Sequence, residues 1–141
     1  MGDKRVRIYR CADDEVGIFS AIYEAGISGY GHKYIKIQPQ SADYMYSMEL
    51  FADYIDVESS IKKMNSVLDA IKEKISHEAY EYVMKAIVSG DAGRGDVIYQ
   101  FITYGFTLGA KVVMAVQFQE VRICLRLYAV SKMKRIGILR C

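Results

Sequence analysis

Apolar residues at Val57, Ile61, Met64, Leu68, Ile71 and Ile75 recur at intervals of 4, 3, 4, 3 and 4, with Lys and Glu among the residues between. That spacing draws one apolar stripe along a helix, and Asp56 ahead of it offers an N-cap oxygen. Ser76 can cap a second helix whose apolar face is Tyr80, Val83 and Ile87. Residues 89–95 (SGDAGRG) read as a turn, after which Asp96 opens a third helix through Val97, Phe101, Tyr104 and Leu108. This third helix is apolar nearly all round and is expected at the centre of a bundle. Residues 112–134 read as one long helix or two short ones, and residues 136–140 as a short terminal strand.

The first third has a different rhythm. Residues 5–9 alternate Arg, Val, Arg, Ile, Tyr, the period of an edge or half-buried strand. Asp13 and Asp14 offer N-cap oxygens to a helix over residues 15–25, with Phe19, Ile22 and Tyr23 on one face and Gly26 placed to end it. Gly29, Gly31 and His32 follow in a loop. Residues 34–37 form a second strand, with Pro39 expected to limit pairing at its end. Residues 44–52 alternate at Tyr44, Tyr46, Met48 and Leu50, which favours a third strand.

Strands before Ala52 and helices after Asp56 predict an α+β fold: a small N-terminal sheet followed by a helical bundle, with a short C-terminal strand. No internal repeat or linker interrupts residues 1–141, so a single α+β domain is expected. Cys11, Cys124 and Cys141 are far apart and odd in number, which argues against a disulfide framework or a structural zinc site and suits a reducing cytoplasm. The polar N-terminus is unlike a signal peptide, and the apolar run 112–118 is too short to span a bilayer. A cytoplasmic protein with no membrane association, cofactor or metal is expected.

Charge changes this picture. The net charge of +2 divides into 12 basic and 16 acidic residues before position 108, and seven basic residues against Glu120 from there on. The seven are Lys111, Arg122, Arg126, Lys132, Lys134, Arg135 and Arg140. Arg122 and Arg126 are four apart, which places both guanidiniums in one row of a helix. A phosphate-rich polyanion is the partner such a segment would take, against the simpler reading of a solvated helix face.

Other candidates are narrower. SGDAGRGD and GYGHK lack the spacing of phosphate-binding loops. His32 could do acid–base work, as imidazole titrates near neutrality, but no partner lies near it in sequence. His77 stands at a helix start and reads as solvated, while Cys11 and Cys124 read as small buried apolar groups. Tyr30, Tyr34, Tyr44, Tyr46 and Tyr54 fall in the same half as His32, Lys33 and Lys36, the pairing of aromatics and cations that can stack unpaired bases.

Residues 13–25 (DDEVGIFSAIYEA), 96–112 (DVIYQFITYGFTLGAKV) and 132–141 (KMKRIGILRC), in this order around a helix pair, resemble a bacterial family described as "probable DNA metabolism" proteins. Its members are encoded beside a radical-SAM protein and are sometimes fused to a uracil-DNA-glycosylase-like domain. The matches are Tyr99, Phe101, Gly105, Phe106, Gly109 and Lys111, then Gly137, Leu139 and Arg140. The family continues for about as many residues again, so the resemblance covers its N-terminal half and implies a truncated chain, a short gene product or a minimal version. The His-Arg pair before the family's terminal strand is Met133 and Lys134 here, which removes any role for a histidine there. Neither the three-cysteine radical-SAM motif nor a glycosylase motif is present, so those activities do not carry over.

The resemblance implies a non-catalytic accessory protein of DNA metabolism or repair, binding DNA through the seven C-terminal cations. Two alternatives are an interaction subunit for the radical-SAM protein, using residues 112–118, and an enzyme using His32. A terminal strand at residues 136–140 would also leave a sheet edge that the N-terminal strand or a second copy could cover.

Overall fold

The computed structural model describes residues 4–40, 51–91 and 93–114 of the 141. Their architecture is α+β. By its internal contacts the chain divides into two compact units, Met1–Val67 and Leu68–Cys141.

The first unit holds a three-stranded sheet of order β2-β1-β3, with β1 at Val6–Ala12, β2 at Ile35–Gln40 and β3 at Ala52–Asp56. Both pairings are parallel, with Tyr9 opposite Ile37 on one side and Ile55 on the other. β1, read from its alternation as an edge or half-buried strand, is therefore central. Its charges are tolerated there because each has a partner: Arg7 lies over the Tyr30 ring, and Arg10 grips Asp56 with two hydrogen bonds of 2.7 and 3.1 Å. Pro39 does not close β2. It pairs in register with Cys11, and on an edge strand its missing N–H costs no ladder bond.

Helix α1, Glu15–Ser28, crosses from β1 to β2 and packs against both. Asp14 is its N-cap, accepting from Gly17 N at 2.7 Å. The helix buries Ile18, Phe19, Ile22 and Ala25, while Tyr9, Cys11, Ile35 and Ile37 are buried on the strands. Gly26 does not end it; the left-handed residue is Gly29, φ 65°, and Ser28 Oγ donates to Ala25 O at 2.6 Å in the last turn. Gly17 sits where the chain leaves β1, and a Cβ there would collide with the Ala12 backbone.

Asp56, expected to cap a helix, instead ends β3, and Val57 N donates to Arg10 O at 2.9 Å to prolong that pairing. Helix α2 starts later, at Ile61–Lys74, with Ser60 Oγ accepting from Lys63 N at 3.3 Å. Ser60 is fixed by buried Ser20 of α1: its N–H donates to Ser20 Oγ at 2.8 Å, and Ser20 Oγ donates to its carbonyl at 3.2 Å. Lys63 pairs with Glu24 of α1. The strand expected over residues 44–52 lies outside the described residues except for its end, where Ala52 begins β3.

The second unit contains the end of α2, helix α3 at His77–Ile87, helix α4 at Arg94–Leu108 and a 3-10 turn at Gly109–Met114. Ser76 caps α3 as its sequence predicts, accepting from Ala79 N at 2.9 Å. Leu68, Ile71, Ile75, Val83, Ile87, Ile98, Phe101 and Ile102 are buried here. α4 begins at Arg94 rather than Asp96 and is not buried all round, since Phe106 keeps half its surface exposed. Gly105 lies against Ile75, whose Cγ1 would be 3.1 Å from a Cβ at that position. The stretch Arg94–Met114 is long and apolar enough to cross a bilayer by length and composition alone; a 3-10 turn replaces the α-helix from Gly109 on. The helix read over residues 112–134 starts within that 3-10 turn, at residues 112–114; the rest of it and the terminal strand at residues 136–140 lie outside the described residues.

Candidate nucleic-acid interface

Of the seven C-terminal cations, Lys111 lies among the described residues. It is exposed on the 3-10 turn after α4, beside fully buried Val112, which anchors that turn. Arg122, Arg126, Lys132, Lys134, Arg135 and Arg140 lie outside the described residues.

A second group of cations is assembled by the sheet. Because β1, β2 and β3 run parallel, the residues that lead into them gather at one end. Lys4 and Arg5 lead into β1 and Lys33 into β2, with Arg7 and Lys36 in the first turns of ladder; Asp53 is the acid at the corresponding level of β3. At the other end stand Asp13, Asp14, Glu15, Asp56 and Glu58, with Arg10 paired to Asp56. The sheet is thus basic at its amino end and acidic at its carboxyl end. An antiparallel sheet would have mixed the two.

The amino end is organised around Tyr30, in the loop from α1 to β2. The Arg7 guanidinium carbon is 3.7 Å from its ring centre, and Lys4 Nζ is 4.5 Å from it. Lys4 also donates to the Tyr30 carbonyl, while the Tyr30 hydroxyl donates to Arg5 O. Lys4 Nζ stands 5.4 Å from the Tyr34 ring as well. Gly31, φ 106°, allows the loop to turn beneath Lys4, a conformation that side chains avoid. On the β3 side Arg5 pairs with Asp53 at 3.3 Å and donates to the Phe51 carbonyl at 3.2 Å. Tyr34 and Phe51 stay exposed, Phe51 at 82%.

The usual ligand position of parallel sheets is the carboxyl end. Here that end disfavours phosphate. The Asp14 carboxylate already occupies the α1 N-terminus, where an anion would bind, with the acids Asp13 and Glu15 beside it in the chain.

His32 opens a 3-10 turn, His32–Tyr34, and is exposed. It cannot meet Cys11. His32 precedes the amino end of β2, whereas Cys11 is opposite Pro39 near the carboxyl end, and the four ladder steps from Ile35 to Pro39 alone span roughly 13 Å. Cys11 is 5% exposed, as its reading as a buried apolar group requires. His77 is an exposed helix-start residue, 3.8 Å from Glu81 and tilted against Tyr80. Among the described residues no three His, Cys, Asp or Glu side chains converge as a metal site.

Lys33 and Lys36 with Tyr30 and Tyr34 were legible as neighbours in sequence. Lys4, Arg5, Arg7 and Phe51 were not, because strand pairing alone brings them to this end. Compared with protein-family models, curated proteins and solved structures, the chain matches none of them.

Proposed function

We propose that this chain is a non-catalytic, nucleic-acid-binding accessory module of DNA metabolism. The observation that carries the proposal is the amino end of the parallel sheet, where Lys4, Arg5, Arg7 and Lys33 gather and Asp53 pairs with Arg5. Phosphates are the anions such a row suits, because each one neutralised releases counterions from the nucleic acid. The seven cations from Lys111 to Arg140 add a second basic segment, and the resemblance to DNA-metabolism proteins names DNA as the polyanion.

Fluorescence anisotropy on a labelled DNA at stepped salt tests it. Binding is expected at micromolar concentration or tighter, weakening steeply with salt. Arg122→Ala/Arg126→Ala and, separately, Lys4→Gln/Lys33→Gln should each flatten the salt slope by about 0.7–0.9 for every phosphate that is no longer neutralised. Absence of binding at low salt, or binding indifferent to salt, overturns the proposal.

A second reading is a protein-interaction subunit for a radical-SAM partner. Met114 and Phe106, 77% and 51% exposed, favour it, although Val112 of the same apolar run is buried. Co-purification that survives high salt would select this reading over DNA binding.

A further inference from the structure

We propose that the amino end of the sheet recognises unpaired nucleotides, taking phosphates on Lys4 and Lys33 and stacking bases on Tyr34 and Phe51. This rests on the nucleic-acid-binding reading and adds the substrate class: single strands rather than duplex. Three observations carry it.

The first is the exposure of two aromatic rings inside a cationic patch. Tyr34 is 39% and Phe51 82% exposed, and Tyr34 stays so although it adjoins a strand whose isoleucines, Ile35 and Ile37, are buried. A duplex offers an approaching protein its phosphates and groove edges, whereas a ring presented beside cations finds a π-face only on an unpaired base.

The second is the division of labour among the aromatics. Tyr30 already lies under the Arg7 guanidinium and near Lys4, with its hydroxyl bonded to Arg5 O. It is a scaffold that holds the cations. Tyr34 and Phe51 precede β2 and β3, on either side of β1. Two strand spacings, about 10 Å, separate those strands, which leaves each ring room for its own base.

The third is the backbone at Phe51. Its φ of 65° is the one positive value at a non-glycine among the described residues, in a region bulky residues avoid. Arg5 fastens this position through the carbonyls of Phe51 at 3.2 Å and Ala52 at 3.4 Å, and through Asp53. A large apolar side chain is thereby held outward, in an unfavourable conformation, beside a guanidinium and at the same end of the sheet as Lys33 and Lys36. Such a conformation persists where the surroundings enforce it.

The chain has no tryptophan, so Tyr34→Trp and Phe51→Trp each introduce a single fluorophore at the site. Each variant, with circular dichroism matching the parent, is titrated with a short oligothymidylate, its duplex with oligoadenylate, and phosphatidylserine vesicles. Oligothymidylate is expected to quench both fluorophores and to bind at least ten-fold tighter than the duplex. In the parent, Tyr34→Ala and Phe51→Ala should each weaken single-strand binding about ten-fold with an unchanged salt slope. Equal binding of both nucleic acids without quenching overturns this inference and leaves the proposed function standing. No binding of either overturns both. A blue shift on vesicles without quenching by oligothymidylate assigns the patch to a lipid surface and overturns it as well.

Discussion

Arg7, in the central strand, holds its guanidinium 3.7 Å from the ring centre of Tyr30, in the loop that returns from α1. The contact joins the sheet to its crossover connection, and the Tyr30 hydroxyl adds a hydrogen bond to Arg5 O. Tyr30→Phe removes the hydrogen bond alone and should cost about 1 kcal/mol. Tyr30→Ala also removes the ring beneath two cations and should cost about 1 kcal/mol more. Urea unfolding of the two variants separates these contributions; equal losses would mean that the stacking adds nothing to stability.

Ser20 and Ser60 exchange hydrogen bonds between α1 and the residue that starts α2. Ser20 is fully buried, so Ser20→Ala leaves the Ser60 N–H without its acceptor. A loss of about 1–3 kcal/mol is expected. Faster hydrogen exchange at the Ser60 amide should accompany it, and unchanged exchange would deny the bond its role in positioning α2.

Gly105 makes room for Ile75. Gly105→Ala would drive a methyl into the Ile75 side chain, Cδ1 foremost, and should destabilise by about 1–3 kcal/mol. Ile75→Val alone should cost about 0.5–1.5 kcal/mol. Because valine lacks Cδ1, the double variant should be more stable than the two losses summed. Strict additivity in thermal or urea unfolding would show that Gly105 is not there to accommodate Ile75.

Arg94 is a buried cation at 6% exposure, and its function is structural. Its Nε donates to Ile87 O at 2.8 Å and its Nη1 to Asp91 O at 3.0 Å, so it satisfies the end of α3 from the first residue of α4. Arg94→Ala should cost about 1–3 kcal/mol by leaving the Ile87 carbonyl without this donor, whereas the Asp91 carbonyl keeps the backbone N–H of residue 94. Arg94→Lys should recover less than half, since one ammonium does not reproduce the fork of a guanidinium. Full recovery with lysine would reduce Arg94 to a charge near a helix end.

The elements were legible where their signals are local. Asp14 and Ser76 cap helices in sequence and in space, because a cap needs only its own residues and the next three. The stripe Leu68, Ile71, Ile75 is buried as its period demands, yet Ile61 of the same stripe is 64% exposed. Its helical spacing extended back to Val57, and the bonds of Asp56 and Val57 to Arg10 hold that stretch as strand instead. In sequence, Gly26 reads as the stop signal and Gly29 as part of the loop after it. The helix continues to Ser28, and Gly29 adopts the left-handed conformation.

Sequence by itself determined a strand-rich start with one helix followed by helices, the caps at Asp14 and Ser76, the buried stripe from Leu68 to Ile75 and the excess of cations after position 107. It also placed Tyr30, Tyr34, Lys33 and Lys36 close together. Only the tertiary structure decided that β1 is central, that its partners run parallel to it, and that Lys4, Arg5, Arg7 and Phe51 join those residues at one end of the sheet. The physical reason is range. Periodicity and capping are settled within a few residues, whereas a parallel pairing is stabilised only after the intervening crossover has closed, and no short window of sequence contains both strands.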